Sequence, residues 1–275
     1  MLFNLIQSQM IYGTAWKKEA TATLVEIAIK EGFRAIDTAC QPKHYNEKLV
    51  GEGIQKALNG LNLKREDLFI QTKFTPIGGQ DPNNIPYDKN ETIENQIKTS
   101  LEVSKSNLQT HYLDSLLLHS PISPYSELLK AWRFLESFVH NGDVKQIGIS
   151  NCYEMSLFQK LYEDATIKPK VLQNRFYEAT SYDKELRVFC LANDVEYQSF
   201  WSLSANPHIV NSKELLQLSQ KYQKSPAVIF YRFLVEIGIS PLNGTTSDIH
   251  MKEDLSIFNF VLDKIDIEMI ETLLL

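Results

Sequence analysis

The chain has 275 residues, of which 43% are hydrophobic and 23% charged, with a formal net charge of −6. This length and composition allow a large buried core and exclude an intrinsically disordered chain. The acidic balance, without a basic stripe, excludes an ordinary nucleic-acid binder.

In chain order, short apolar runs at 10–12, 33–36, 68–72, 115–118, 146–149, 171–173, 196–199 and 238–241 predict strands. Their interiors are apolar without strict alternation, as in buried parallel strands. Helical patterns lie between them. The first, 19–31, places Leu24, Ile27, Ala28 and Glu31 on one face. The second, 46–58, starts at Asn46-Glu47 and meets a stop signal at Asn59-Gly60. Amphipathic segments follow at 91–106 and 126–139, then a run at 227–235 opened by Ser225-Pro226, and a last helix at 266–274. Eight strands alternating with helices predict an α/β fold, a closed (β/α)8 TIM barrel, as one domain over 1–275.

The longest turn-rich stretch is 76–89, with Gly78, Gly79, Pro82, Asn83, Asn84 and Pro86. It follows the third strand, so two readings stand: a lid or binding loop over the site, and a tolerated surface insertion. Cys40, Cys152 and Cys190 are widely spaced and give neither a disulfide framework nor a zinc knuckle. Residues 1–10 lack the basic n-region and the long apolar run of a signal peptide. No stretch approaches the length of a membrane span. The expectation is a cytoplasmic protein with neither membrane nor nucleic-acid partners.

Barrel active sites form at the C-terminal ends of the strands. Asp37 ends the second strand, Tyr45 lies in the loop after it, Lys73 ends the third and His119 the fourth. Each has an ordinary reading: a capping Asp, a satisfied core His, an exposed Lys, a loop Tyr. Their joint placement at successive strand ends points to proton-transfer chemistry. Tyrosine is a poor acid at neutral pH unless a nearby ammonium lowers its pKa. A shift of about two units takes roughly 3 kcal/mol of differential stabilisation. Aspartate would orient the lysine, and histidine would bond the substrate carbonyl or share the proton.

Several segments resemble the aldo-keto reductases. Gly32-Phe33-Arg34-Ala35-Ile36-Asp37-Thr38-Ala39 is similar to that family's signature after the first helix. Leu68-Phe69-Ile70-Gln71-Thr72-Lys73 resembles its lysine strand, Asp114-Ser115-Leu116-Leu117-Leu118-His119-Ser120-Pro121 its histidine strand, and Gly148-Ile149-Ser150-Asn151 its carboxamide-holding segment. The resemblance spans almost the whole chain. It implies a catalytic tetrad of Asp37, Tyr45, Lys73 and His119, with Asp37 also bordering the cofactor. Ser150, Asn151 and Gln173 would hold the nicotinamide carboxamide, and Phe200 would stack on the ring. Thr14, Trp201, Ser202, Leu203, Asn243, Gly244 and Thr245 complete the implied cofactor site. Trp16, Tyr45 and His119 are implied at the substrate. The implied cofactor is NADPH, with NADH possible. The implied partner is a small-molecule carbonyl compound, the implied state a monomer or weak homo-oligomer, and no metal is implied.

The chain departs from the family pattern in three places. Cys40-Gln41-Pro42-Lys43-His44-Tyr45 lengthens the path from Asp37 and brings His44 into competition with Tyr45 as proton donor. Leu242 and His250 stand where the family places a lysine and an arginine against the cofactor's 2′-phosphate, with Lys252 as a substitute. Asn243, Gly244 and Thr245 would then donate to a phosphate, or simply form a turn. Ser120 replaces a pocket tryptophan, and the chain stops at Leu275, so a more open, less aromatic pocket is expected, with the 76–89 loop able to cover it. Two other classes stay open: a nucleotide-binding barrel without turnover, acting as a redox sensor or regulatory subunit, and a lyase using Lys73 as a Schiff base.

Overall fold

The computed structural model describes residues 10–274; residues 1–9, most of the stretch examined for a signal peptide, and Leu275 lie outside the described residues. Eight strands form a closed barrel in sequence order: β1 (Ile11–Gly13), β2 (Ala35–Asp37), β3 (Phe69–Phe74), β4 (Leu113–Leu118), β5 (Val144–Ser150), β6 (Val171–Arg175), β7 (Glu196–Phe200) and β8 (Ile239–Asn243). Every pairing is parallel, and β1 closes on β8. The expected (β/α)8 barrel is present. Strand ends differ in one way that matters: β3 runs on to Phe74, so Lys73 lies inside the strand rather than at its end.

Helices α1 (Thr21–Glu31), α2 (Glu47–Leu61), α3 (Ile93–Asn107) and α4 (Tyr125–His140) cover the first half of the barrel. Asn46 starts α2 as expected, its side chain accepting the Leu49 amide at 3.1 Å. The expected stop at Asn59-Gly60 is overrun. The helix ends at Asn62, whose φ of 54° supplies the left-handed cap. The second half carries α5 (Met155–Asp164), α6 (Lys184–Ala192), α7 (Pro207–Val210), α8 (Lys213–Tyr222), α9 (Pro226–Glu236), α10 (Asp248–Leu255) and α11 (Lys264–Glu271). Helices α5, α6 and α8 were not legible from periodicity. Each buries only two residues, Phe158 and Leu161, Leu186 and Cys190, Leu215 and Leu218.

The main core lies between barrel and helices, around Phe33, Trp132, Phe158, Phe230 and Phe233. Inside the barrel a small apolar layer of Ile11, Ala35 and Leu242 meets Phe69 and Phe200. The two faces of β3 show the alternation that the apolar run concealed. Ile70 and Phe74 join the outer core, while Gln71 and Lys73 bond across the interior to other strands. No helix of the described residues is long and apolar enough to cross a membrane.

Glycine sets two close approaches. A Cβ on Gly53 would lie 2.4 Å from the Ala22 carbonyl oxygen, so α2 can settle on α1. A Cβ on Gly148 would lie 2.4 Å from the carbonyl oxygen of Val171, its register partner on β6. Substituting Gly148→Ala is expected to cost about 1–3 kcal/mol through overpacking, read as a lowered midpoint in urea unfolding.

Candidate active site

The C-terminal ends of the strands open into a cleft of about 1020 Å³ lined by Asp37, Tyr45 and His119 among others. Lys73 lies beneath its wall and is 1% exposed. The Lys73 Nζ donates to Asp37 Oδ1 at 2.7 Å, Asp37 Oδ2 at 2.6 Å and the Thr38 carbonyl at 2.9 Å, so all three ammonium protons are used. Asp37 Oδ1 also accepts from the Nε2 atoms of Gln71 at 2.8 Å and Gln173 at 3.0 Å. Both amides donate in turn to Gln198 Oε1, at 2.7 and 2.9 Å. A polar layer thus ties β2, β3, β6 and β7 together across the barrel.

The Lys73 ammonium lies 5.6 Å from the centroid of the Tyr45 ring, and the Tyr45 and His119 centroids lie 6.0 Å apart, edge to face. The four side chains expected at successive strand ends are therefore gathered in one place. His44 also lines the cleft, but its ring stacks on Trp16 at 3.8 Å between centroids. Tyr45 is the one of the pair that stands against lysine and histidine.

The electrostatics differ from the expectation. Burial raises the Tyr45 phenol above the ordinary tyrosine range, and Asp37 raises it further. The Lys73 ammonium is bonded to Asp37 and the Thr38 carbonyl rather than to the phenol. Burial also draws the Lys73 pKa down, against the opposing pull of Asp37. His119 is lowered to about 3 by burial and by the positive charge of Lys73, so its ring is neutral at any physiological pH. Its Nδ1 shares a 2.6 Å hydrogen bond with Thr75 Oγ1, leaving Nε2 for a ligand. A Schiff-base role is disfavoured, since Lys73 is sealed from the cleft with every proton engaged.

Trp16, Ser150, Asn151, Gln173, Phe200, Trp201, Ser202, Leu203, Asn243, Gly244 and Thr245 all line the cleft. Thr14 does not. It is fully buried, and its hydroxyl donates to the Asp37 carbonyl at 2.9 Å. At the β8 end, the Asn243 amide donates to Asp254 at 2.6 Å and the Thr245 N–H to Asn243 Oδ1 at 2.7 Å. Two of the expected phosphate donors are thus consumed in an Asn-centred turn. Lys252 lines a separate surface hollow, whereas His250, Glu253 and Asp254 reach the cleft. Burial pushes the Asp254 carboxyl up to about 6.

The 76–89 loop is pinned beside the cleft and lines none of it. Tyr87 donates to the Thr75 carbonyl at 2.6 Å, Gln80 to the Cys40 carbonyl at 2.9 Å, and Gln41 to the Gly79 carbonyl at 2.6 Å. It buttresses the Asp37–Tyr45 segment rather than covering the pocket. Nor is the cleft poor in aromatics, since Tyr45, Phe200, Tyr231, Trp16 and Trp201 line it. Trp16 and Trp201 have φ of 64° and 58°, a strained region for bulky residues that marks functional sites. Sequence reasoning missed Gln71, Gln198 and Arg175. The signal was available, because stepping by two from Lys73, Gln173 or Phe200 stays on the inward face.

Comparison with known proteins agrees with this geometry. The profile of the aldo/keto reductase family matches residues 8–274. The glyoxal reductase of Bacillus subtilis (strain 168) is 31% identical over 255 residues, covering 93% of this chain and 83% of that protein. An NAD(P)H-dependent D-xylose reductase from Pachysolen tannophilus is 30% identical over 294 residues, covering 94% and 87%. The crystal structure of an aldo/keto reductase from Brucella melitensis superposes with a TM-score of 0.80 at 27% identity, covering 96% of this chain and 94% of the other.

Replacing Lys73 by Met strands the Asp37 carboxylate in the barrel interior. The expected loss is about 3–5 kcal/mol of stability, checked by chemical denaturation, with the double variant K73M/D37L recovering part of it.

Proposed function

The chain belongs to the aldo/keto reductase family, and from that premise we propose that it reduces a small aldehyde or ketone to an alcohol with NAD(P)H, Tyr45 donating the proton. The observation that carries the reading is the neutral Tyr45–His119 pair standing in the cleft over a sealed Lys73–Asp37 ion pair. The relatives support the substrate class, being described as reductases of glyoxal and D-xylose. The chain falls in a branch marked by the segment Gln41-Pro42-Lys43-His44-Tyr45.

The cleft suits a dinucleotide. Its volume, about 1020 Å³, is at the upper end for ligand sites, and it combines aromatic faces with amide and hydroxyl groups. Ser150, Asn151 and Gln173 hold the carboxamide, and Gln173 keeps Oε1 as an acceptor while its amide protons go to Asp37 and Gln198. Phe200 supplies the flat face for the ring. Trp201, Ser202, Leu203, Gly244 and Thr245 border the rest, with Asn243 shaping the turn and Thr14 acting through the Asp37 backbone. When bound, the reduced nicotinamide supplies the hydride. His119 offers Nε2 to the substrate oxygen, and Tyr45 delivers its proton there as negative charge develops. A high phenol pKa keeps that proton in place until an alkoxide, a stronger base, demands it. Trp16 walls the substrate.

NADPH is the default, but selection against NADH is weak. Leu242 offers no charge, and Glu253 and Asp254 set carboxylates near His250 at the β8 end, whereas a 2′-phosphate seeks cationic donors.

Tyr45→Phe should lower kcat/KM on a reactive aldehyde by about 100-fold or more while leaving nucleotide affinity unchanged, and His44→Gln should change it by less than about threefold. The reverse pattern moves the proton donor to His44. Nucleotide binding without turnover on a broad carbonyl panel points to the regulatory barrel. The pH profile follows from the shifts. His119 deprotonates near 3 and Tyr45 only above the ordinary tyrosine range, so neither changes state in between. The kcat for reduction should therefore be flat from about pH 5 to about pH 9, measured at saturating cofactor and aldehyde.

A further inference from the structure

Arg175 closes β6 two residues beyond Gln173 and is paired in register with Phe200. Like Gln173 it lines the cleft. Its guanidinium lies 4.2 Å from the Trp201 ring centroid and 5.2 Å from that of Tyr177. Among the described residues no carboxylate lies within ion-pair distance of it, and its Nε is buried with no hydrogen-bond partner. Arginine carries five donors in one plane. Stacking on aromatic rings engages the face of that plane and leaves the edge. A buried guanidinium N–H with nothing to bond is costly, and a planar anion relieves that cost with two parallel charge-assisted bonds.

We propose that Arg175 is an anion-recognising residue of the cleft, selecting carbonyl compounds that carry a carboxylate remote from the carbonyl. This rests on the reading of Tyr45 and His119 as the carbonyl end. His119 follows β4 and Arg175 ends β6, two strands away, which puts the two ends roughly 10 Å apart. A para-substituted aromatic aldehyde acid has the right shape, and its ring has Trp16, which lines the same cleft, to pack against. Trp201, with its left-handed backbone, is held at the mouth by the same guanidinium, so the strained indole and the anion share one anchor. Lys17, another cation lining the cleft, spans from the loop after β1 to the Gly244 carbonyl, and the Lys73 charge is neutralised by Asp37.

The test compares 4-carboxybenzaldehyde with its methyl ester, a neutral analogue of nearly the same shape. Binding is followed by intrinsic tryptophan fluorescence, to which Trp201 reports directly, and turnover by NADPH oxidation. Arg175→Met should weaken binding and kcat/KM for the acid by about ten- to a hundredfold, leaving the ester within about twofold and NADPH affinity unchanged. Arg175→Lys keeps the charge but not the two parallel N–H groups, so its preference for the acid should fall between those of the wild type and Arg175→Met. Equal losses on acid and ester would overturn the proposal, as would a loss confined to NADPH, which would assign the guanidinium to the cofactor's phosphates. If neither compound turns over, the reductase reading fails, while the binding arm still decides the role of Arg175.

Discussion

Lys73 and Asp37 meet at 2.6 Å with side chains 1% and 3% exposed, in a barrel interior where an isolated charge would be unstable. Removing two ions from water costs several kcal/mol each, and their attraction offsets this only with good geometry and satisfied lone pairs. Here the geometry is complete. The ammonium has three acceptors, and the carboxylate accepts the lysine and two glutamine amides. Satisfying this pair requires Gln71, Gln173 and Gln198 to meet across the barrel, which fixes the relative positions of β2, β3, β6 and β7. Most barrels fill this space with branched apolar residues; here the apolar layer shrinks to the small cluster around Ile11, Ala35 and Leu242.

The pair also sets the protonation states above it. Burial and the nearby Asp37 carboxylate keep Tyr45 a phenol, and burial and the Lys73 charge keep His119 a neutral imidazole. On the proposed reading, two neutral donors above this ion pair stabilise an oxygen only as it becomes anionic, which is the condition for accelerating a reaction rather than merely binding a substrate. Lys73 holds Asp37 and the backbone at Thr38 in place.

Around this rigid centre the cleft walls are less conventional. The pinned 76–89 loop supports the lengthened segment that carries Tyr45. At the opposite rim, Trp201 and Arg175 support one another, and at the β8 end a carboxyl raised by burial stands where cations would favour a 2′-phosphate. On the proposed reading, the centre sets the reaction and the rim selects the molecules that reach it.

The alternation of apolar runs with amphipathic segments was enough to read the barrel, because burial of parallel strands and of helix stripes imposes those periods on any chain. Asp37 and His119 were legible for the same reason: strand ends are fixed by periodicity, and polar residues there stand out, whereas Lys73, expected at a strand end, lies one residue inside β3. Tyr45 against His44 was not legible. One residue separates them, and only the packing of His44 on Trp16 and of Tyr45 on His119 assigns their places. The pKa directions were also beyond the sequence, since they depend on how deeply each group is buried and on Lys73 being spent on Asp37. Likewise Thr14, Asn243 and Lys252 are donors by type, but only the structure shows that the first two bond within the protein and that Lys252 lines a separate hollow. The sequence by itself determined which groups the strand ends carry. Closure of the barrel decided which of those groups meet, because contacts such as Gln173–Asp37 span 136 residues and exist only once the eighth strand has paired with the first.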